Sequence, residues 1–276
     1  MPWFNGIIYI VTCSQIPNWL DLQNSRIKIV NHKDIIPNHI YPTFDSNIIE
    51  LFFDKIPGIT ERFIYFNDDV FLSSYIHPSF FFTGKTFYPK MYRNENKLNI
   101  SDIKVNENIS NNKYAFVVNT FFTLIRQYFD NEFTYYYLHH APFFLYRDLY
   151  EPFRQLFKEE LKKACAYRFR HHYKFQILYL YQIYTKYAPQ HENFPLKIGG
   201  NGKAKYFEGQ PLPKIKSIEN YSIEIMKGSI SNKYILFGAI FNDYNKYIKH
   251  FERIKNSSDI LIFNLNDEYD QKKCII

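Results

Sequence analysis

Twice in this chain a short apolar run stops at an Asn-Asp pair, and that repeated pattern narrows the fold more than any other feature. Phe63-Ile64-Tyr65-Phe66 leads directly into Asn67-Asp68-Asp69, and Ile260-Leu261-Ile262-Phe263 runs on into Asn266-Asp267. Runs of four residues rich in β-branched and aromatic side chains have the length of buried strands and fall short of a helix. Gly6–Thr12 and Arg26–Val30 have the same character, with Pro17-Asn18-Trp19-Leu20 as a connecting turn. Asp45 or Ser46 caps a helix predicted over Ile48–Ile56, where Ile48, Ile49, Leu51, Phe52 and Ile56 make an apolar stripe and Pro57-Gly58 ends it. Strand, helix, strand in this order predicts an α/β fold with a mainly parallel sheet and crossover helices.

Further along, Tyr92–Asn112 is polar and rich in Asn and Lys, which predicts an exposed insertion. Helices are expected at about Asn112–Asp130, Arg147–Ala166, Tyr173–Tyr187 and Asp243–Lys255, and strands near Ser222–Met226 and Tyr234–Phe237. Lys197–Pro213 holds four of the nine glycines and reads as a loop or linker. With 28 Phe and 25 Tyr the chain has ample material for a core, and a disordered segment is excluded. A basic, aromatic-rich chain can bind single-stranded nucleic acid by stacking. Here the aromatics run in core-like stretches such as Phe80-Phe81-Phe82 and are not interleaved with Arg, so no nucleic-acid partner is expected. The net charge of +7 suits an anionic substrate. Cys13, Cys165 and Cys274 are odd in number and share no metal-type spacing, which argues against a disulfide framework or a structural zinc. No run reaches the length of a membrane span and none has the form of a secretory signal, so a cytoplasmic chain without a membrane segment is expected.

The two strand ends are where chemistry is expected. In open α/β sheets the ligand sits beyond the carboxyl ends of the strands. Carboxylates gathered there repel one another unless a cation offsets them. Asp68, Asp69, Asn266 and Asp267 are therefore candidate ligands of a divalent metal, Mg²⁺ or Mn²⁺. A second group is His139-His140-Ala141-Pro142 with Arg168-Phe169-Arg170-His171-His172. Histidine moves protons near neutral pH, and arginine grips phosphate oxygens at two points. With acidic metal ligands these are the parts for transfer of a phosphorus-containing group.

These residues resemble a known family. Ile8-Tyr9-Ile10-Val11-Thr12 followed by Gln15-Ile16-Pro17-Asn18-Trp19-Leu20 is similar to the second conserved region of the Stealth proteins, sugar-1-phosphate transferases of microbial capsules. The resemblance continues through His32, Pro42-Thr43-Phe44-Asp45-Ser46, Glu50 and Ile56-Pro57-Gly58, and is strongest over Arg62–Leu72. His140-Ala141-Pro142 and Tyr167–Arg170 look like the third region, and Phe263–Asp270 like the fourth. The family's first region, a strand with a Tyr-Thr-Trp-Val core, has no counterpart in this sequence. Cys13 and Ser14 stand where the family often has Asn or Asp with Gly, and Asp45-Ser46-Asn47 where it has Asn-Ser-His.

The resemblance implies a single catalytic domain over 1–276, with the second region at 1–90, the third at 137–187 and the fourth at 260–270. It implies a Rossmann-like sheet similar to nucleotide-sugar transferases, lacking one strand, with a helical segment from about Tyr137 to Tyr187 over the site. The implied reaction moves a hexose-1-phosphate such as GlcNAc-1-phosphate from a UDP-sugar to a saccharide hydroxyl, releasing UMP. His140, the histidine of the His-Ala-Pro match, is the expected general base, and Arg170 the expected phosphate grip. Asp69 is expected at the catalytic centre. Asn67, Gln15, Ser46 and Arg147 are expected to contact substrate. Two alternatives stand beside this: a metal-dependent glycosyltransferase releasing UDP, and a non-catalytic homologue that binds a glycan or a partner subunit.

Overall fold

The structure is a computed structural model that describes residues 1–84, 88–99, 113–128, 134–169, 171, 174–187, 197–198, 204–205, 224–240 and 244–267. The strands are β1 (Ile8–Thr12), β2 (Ile27–Asn31), β3 (Arg62–Tyr65), β4 (Val70–Leu72), β5 (Lys90–Asn99), β6 (Thr134–Leu138), β7 (Phe143–Tyr146), β8 (Lys197–Ile198), β9 (Ala204–Lys205), β10 (Glu224–Met226), β11 (Ile235–Ile240) and β12 (Ile262–Asp267). The helices are α1 (His32–Ile35), α2 (Ser46–Glu50), α3 (Lys113–Tyr128), α4 (Tyr150–Leu156), α5 (Lys158–Cys165), α6 (Ile177–Tyr187), α7 (Gly228–Tyr234) and α8 (Tyr244–Asn256).

The chain is mixed α/β. β1 runs parallel to β2, β10 to β5 and β11 to β12, whereas β12–β4, β3–β7, β5–β6 and β8–β9 are antiparallel. The sheet expected to be mainly parallel is thus, among the described residues, a set of small sheets of both kinds. The reason lies in β3 and β4. β3 takes β7 as its neighbour, 78 residues on, and β4 turns back against β12.

Four other expectations are corrected. The stretch from Tyr92 is not an exposed insertion: up to Asn99 it belongs to β5, and Met91 and Tyr92 are buried. Its polar residues have little intrinsic strand preference, and the strand exists because β10 and β6 pair with it. The remainder, 100–112, lies outside the described residues. The segment 137–187 is not helical throughout, since its Phe143-Phe144-Leu145-Tyr146 run forms β7 and is buried at every position. The helix expected over Arg147–Ala166 is broken into a 3₁₀ turn at Arg147–Leu149, then α4 and α5, with the buried Phe157 out of helical geometry between them. The Ile48–Ile56 helix likewise splits at Phe52, into α2 and a 3₁₀ turn over Phe53–Lys55. Pro57-Gly58 does end it. Gly58 at φ +79° after Pro57 makes the turn that closes with the Ile59 N–H on the Ile56 carbonyl at 3.1 Å.

The larger core gathers α2, α4, α6 and β7 around Tyr146, Tyr150, Phe153 and Tyr181, which places the aromatics inside as their clustering predicts. The Tyr181 hydroxyl donates to the Tyr146 carbonyl at 2.5 Å, and the Gln182 amide donates to the Phe144 carbonyl at 3.1 Å, fastening α6 to β7. Arg154 on α4 makes a two-point contact with Asp54 at 2.7 Å for each bond. A second core surrounds Val70, Ile76, Phe80, Ile235 and Ile262. No helix among the described residues is long and apolar enough to cross a membrane.

Lys174 lies inside this frame. Its ammonium is 3.1 Å from the Asp45 carboxylate and donates to the Tyr167 carbonyl at 2.5 Å, with both side chains essentially inaccessible to water. Asp45 also caps α2 by accepting from the Asn47 N–H. Removing one member of such a pair strands a charge in a poorly solvated place. Lys174→Met is therefore expected to cost about 3–5 kcal/mol of stability in urea titrations at neutral pH. A loss below about 1 kcal/mol would show that the pair does not hold the fold. Burial, the largest influence, pushes the neighbouring Cys165 thiol up to about 11. In a Cys13→Ser, Cys274→Ser background, Cys165 should stay unreactive to a disulfide reagent at pH 8 until the chain is unfolded.

Candidate functional site

Register builds this site. β3 and β7 pair with Arg62 opposite Tyr146 and Tyr65 opposite Phe143. Because the strands are antiparallel, the residues that follow β3 and those that precede β7 leave the pair at the same end. Phe66–Asp69 and His139–Pro142 are thereby neighbours, although some seventy residues separate them in sequence. The Val70 N–H donates to the Asn67 carbonyl at 3.2 Å, closing a turn around Asp68 and Asp69. β4 then pairs with β12, and the Leu265 N–H donates to the Asp69 carbonyl at 3.0 Å. Asn266 and Asp267, the last two residues of β12, follow directly on that bond. On the other flank the His139 N–H donates to the Tyr92 carbonyl at 2.9 Å.

At the centre, His140 Nε2 lies 2.9 and 3.1 Å from the two carboxylate oxygens of Asp69, and 3.0 Å from the Asn67 side-chain nitrogen. One ring nitrogen cannot satisfy both neighbours, since an ionised carboxylate only accepts and an amide NH₂ only donates. With a proton on Nε2 the ring donates to Asp69; without it, the ring accepts from Asn67. Where Nε2 donates to Asp69, the other ring nitrogen, Nδ1, is left as the acceptor. The opposite atom of the same amide, Asn67 Oδ1, is buried with no hydrogen-bond partner. An amide oxygen beside carboxylates is the hard donor set that Mg²⁺ or Mn²⁺ prefers. Among the described residues no group of three or more His, Cys, Asp and Glu side chains is arranged to hold a metal; of Asn266 and Asp267 only the backbone belongs to that set.

A second layer lies behind the turn. The Tyr65 hydroxyl donates to Glu50 Oε1 at 2.9 Å, and Glu50 is buried at the end of α2. Burial, then the Glu50 charge and hydrogen bond, then the charges of Asp68 and Asp69 hold the phenol far above its ordinary value. Tyr65 is consequently a permanent neutral donor.

The structure brings together Asp69, His140 and Asn67, with Asp68 exposed on the same turn. Gln15 and Ser46 are both exposed: Gln15 follows β1, where its carbonyl accepts from the Thr12 hydroxyl at 2.8 Å, and Ser46 opens α2. Arg147 is not at the cluster. It sits at the far end of the β3–β7 pair, where it contacts Asp148 and the Ile59 carbonyl, roughly 20 Å of strand from Asn67. Its position in sequence just after β7 puts it there, because the ladder carries the chain away from the turn. Arg170 and His172 lie outside the described residues.

Asn264 belongs to the neighbourhood and was not singled out from the sequence. It is fully buried in β12 opposite Val70, and neither side-chain polar atom has a partner. The signal was present as an asparagine inside the apolar run that leads into Asn266-Asp267.

Comparison with known proteins bears on residues 1–90, which match the model of Stealth protein CR2, conserved region 2. An exopolysaccharide phosphotransferase of Lactiplantibacillus plantarum is 49% identical over 82 residues, covering 30% of this chain and 24% of the relative. A capsular polysaccharide phosphotransferase of Haemophilus influenzae is 50% identical over 82 residues, 30% of this chain and 22% of the relative. One from Neisseria meningitidis serogroup B is 48% identical over 83 residues, with the same shares. The matched segment thus spans about a quarter of each relative's length.

An unpartnered buried amide costs stability. Asn264→Leu, close in volume and without polar atoms, is expected to raise stability by about 1–3 kcal/mol in urea titrations. A destabilised variant would show that the amide is satisfied in solution.

Proposed function

We propose, from the match of its first 90 residues to conserved region 2 of the Stealth proteins, that this chain is a Stealth-type protein that transfers a sugar phosphate in the synthesis of a capsular or other surface polysaccharide. In the finer form of the proposal, the donor is a UDP-sugar such as UDP-GlcNAc and the acceptor is a saccharide hydroxyl. The acceptor oxygen bonds to the β-phosphorus, the bond from that phosphorus to the bridging oxygen breaks, and UMP leaves. The observation that carries the proposal is the 2.9 Å approach of His140 to Asp69. His140 takes the acceptor proton on Nδ1 as general base, while Asp69 accepts from Nε2–H, orients the ring and stabilises the imidazolium that forms.

Asp68, Asp69, Asn266 and Asp267 are the residues assigned to a divalent cation, with Asp69 shared between the cation and His140. Bound there, the cation would offset pyrophosphate charge and stabilise the leaving UMP. Arg170, immediately after Phe169, is assigned to the donor's phosphate oxygens. A Rossmann-like donor cleft belongs to the same proposal; its support is the parallel pairs β1–β2 and β11–β12, with Asn266 and Asp267 at the carboxyl end of β12.

The test is product analysis with UDP-GlcNAc, divalent metal and a saccharide acceptor. UMP release is expected from the wild type. His140→Ala and Asp69→Asn should each lower it about 100- to 10,000-fold while leaving the thermal midpoint within a few degrees. Release of UDP would replace the proposal with an ordinary glycosyltransferase, and near-normal turnover by either variant would remove the assigned roles.

A further inference from the structure

The loop leaving α5 is fastened to the core, yet it ends in two rings that stand in water. Phe44 and Phe169 stack on each other with centroids 5.0 Å apart and planes 12° from parallel, and each is 62% exposed. The strands of chain that carry them are tightly joined. The Phe44 N–H donates to the Arg168 carbonyl at 2.7 Å, and the Thr43 hydroxyl donates to the same oxygen at 3.3 Å. On either side, the buried Asp45–Lys174 pair and the Lys174 bond to the Tyr167 carbonyl lock both backbones. Tyr167 and His171 also stack, at 3.6 Å. Nothing in this clamp requires apolar rings at positions 44 and 169, and leaving them in water is unfavourable.

We propose that the Phe44–Phe169 stack is a platform for a pyranose ring of the acceptor saccharide; this deepens the sugar-phosphate transfer reading and rests on it. The outward face of a benzene ring carries partial negative charge, which complements the row of C–H bonds on one face of a pyranose. A platform fixed in advance loses little entropy when it is covered. The patch also has the right size. The exposed faces of two Phe rings amount to roughly 200–300 Å², enough for one or two sugar units but far below the ~800 Å² that each partner buries in a standard protein interface. Beside it, Arg168 is exposed and has no ion pair among the described residues, so it can meet a phosphate or carboxylate of an anionic glycan. The platform is also placed to serve the centre. Phe44 flanks the start of α2, whose five residues span roughly 7.5 Å, and whose last residue, Glu50, holds Tyr65 two positions before Asn67.

The test is saturation-transfer NMR on the full chain with a GlcNAc tetramer and maltohexaose as probes. The wild type is expected to transfer saturation to ring C–H protons of at least one probe. Phe44→Ala with Phe169→Ala should weaken the signal about tenfold, and Phe44→Tyr with Phe169→Tyr should keep it. Equal transfer from the double alanine variant, or none from the wild type with either probe, overturns the platform. So does loss of self-association in sedimentation with saccharide transfer unchanged, which would make the patch a contact between copies. Platform and chemistry fail separately. Binding that is lost in the variant, without UMP release by the wild type, keeps the platform and removes the transfer reaction. UMP release whose acceptor KM is unmoved in the double alanine variant removes the platform alone.

Discussion

Four residue pairs between β3 and β7 hold the candidate site together. They set Tyr65 opposite Phe143, and every approach of His140 to Asp69 and Asn67 follows from that register. A slip of one residue would turn every side chain of one strand to the other face and carry His140 away from Asp69. All four residues of β7 are buried, so both faces of the strand are packed and a slip would have to repack the core on both sides at once. Gln182 adds a specific lock by donating to the Phe144 carbonyl from α6. The site geometry is therefore a by-product of core packing, and loops alone could not hold it so closely.

Polar groups at the centre are treated differently from those that hold the frame. Asp54 with Arg154, and Asp45 with Lys174, are matched pairs supported by further hydrogen bonds. Around Asp69 the bookkeeping does not close: one imidazole nitrogen faces an acceptor and a donor, Asn67 Oδ1 has no partner, and Asn264 nearby along β12 has none at all. Folding tolerates a few such groups, the buried Tyr150 hydroxyl of the larger core among them. In the proposed reading, a divalent cation would supply the partner that Asn67 Oδ1 lacks beside Asp69.

The sequence was most legible where structure is local. The Phe63–Phe66 run, the Asp45 cap, the Pro57-Gly58 stop and the α8 helix follow from propensity, capping and turn chemistry within a few residues. It was least legible where distant segments decide. β5 is a strand because β10 and β6 flank it, although Arg93-Asn94-Glu95 would suit a loop. Phe143–Tyr146 sits beside helices in sequence, and its strand identity comes from β3. The same division holds in the site. Asp69 and His140 could be singled out from residue type and family pattern, but the place of Arg147 at the opposite end of the β3–β7 pair could not, because nothing local shows which end of a strand pair a residue occupies. Asn264 was passed over because a single polar residue in an apolar run ordinarily finds a partner.

In the proposed reading, rigidity lets the exposed aromatic pair and the His140–Asp69 pair serve one reaction. Transfer to a saccharide hydroxyl requires that the acceptor oxygen be aimed, since a small misplacement of a nucleophile costs far more than a weak contact gains. A platform on a mobile loop would add affinity without aim. Here the ring at Phe44 is continuous with the capped start of α2, and α2 ends at Glu50, which fixes Tyr65 and hence the strand that delivers Asn67 and Asp69. The ring at Phe169 is held to the same backbone through the Arg168 carbonyl. Both ends of the path are buried or hydrogen-bonded, so a sugar resting on the rings would be referenced to the same rigid element as the carboxylate beside His140. The fully buried Lys174 serves that path: its ammonium holds Asp45 and Tyr167 at once, and so fixes where both rings stand.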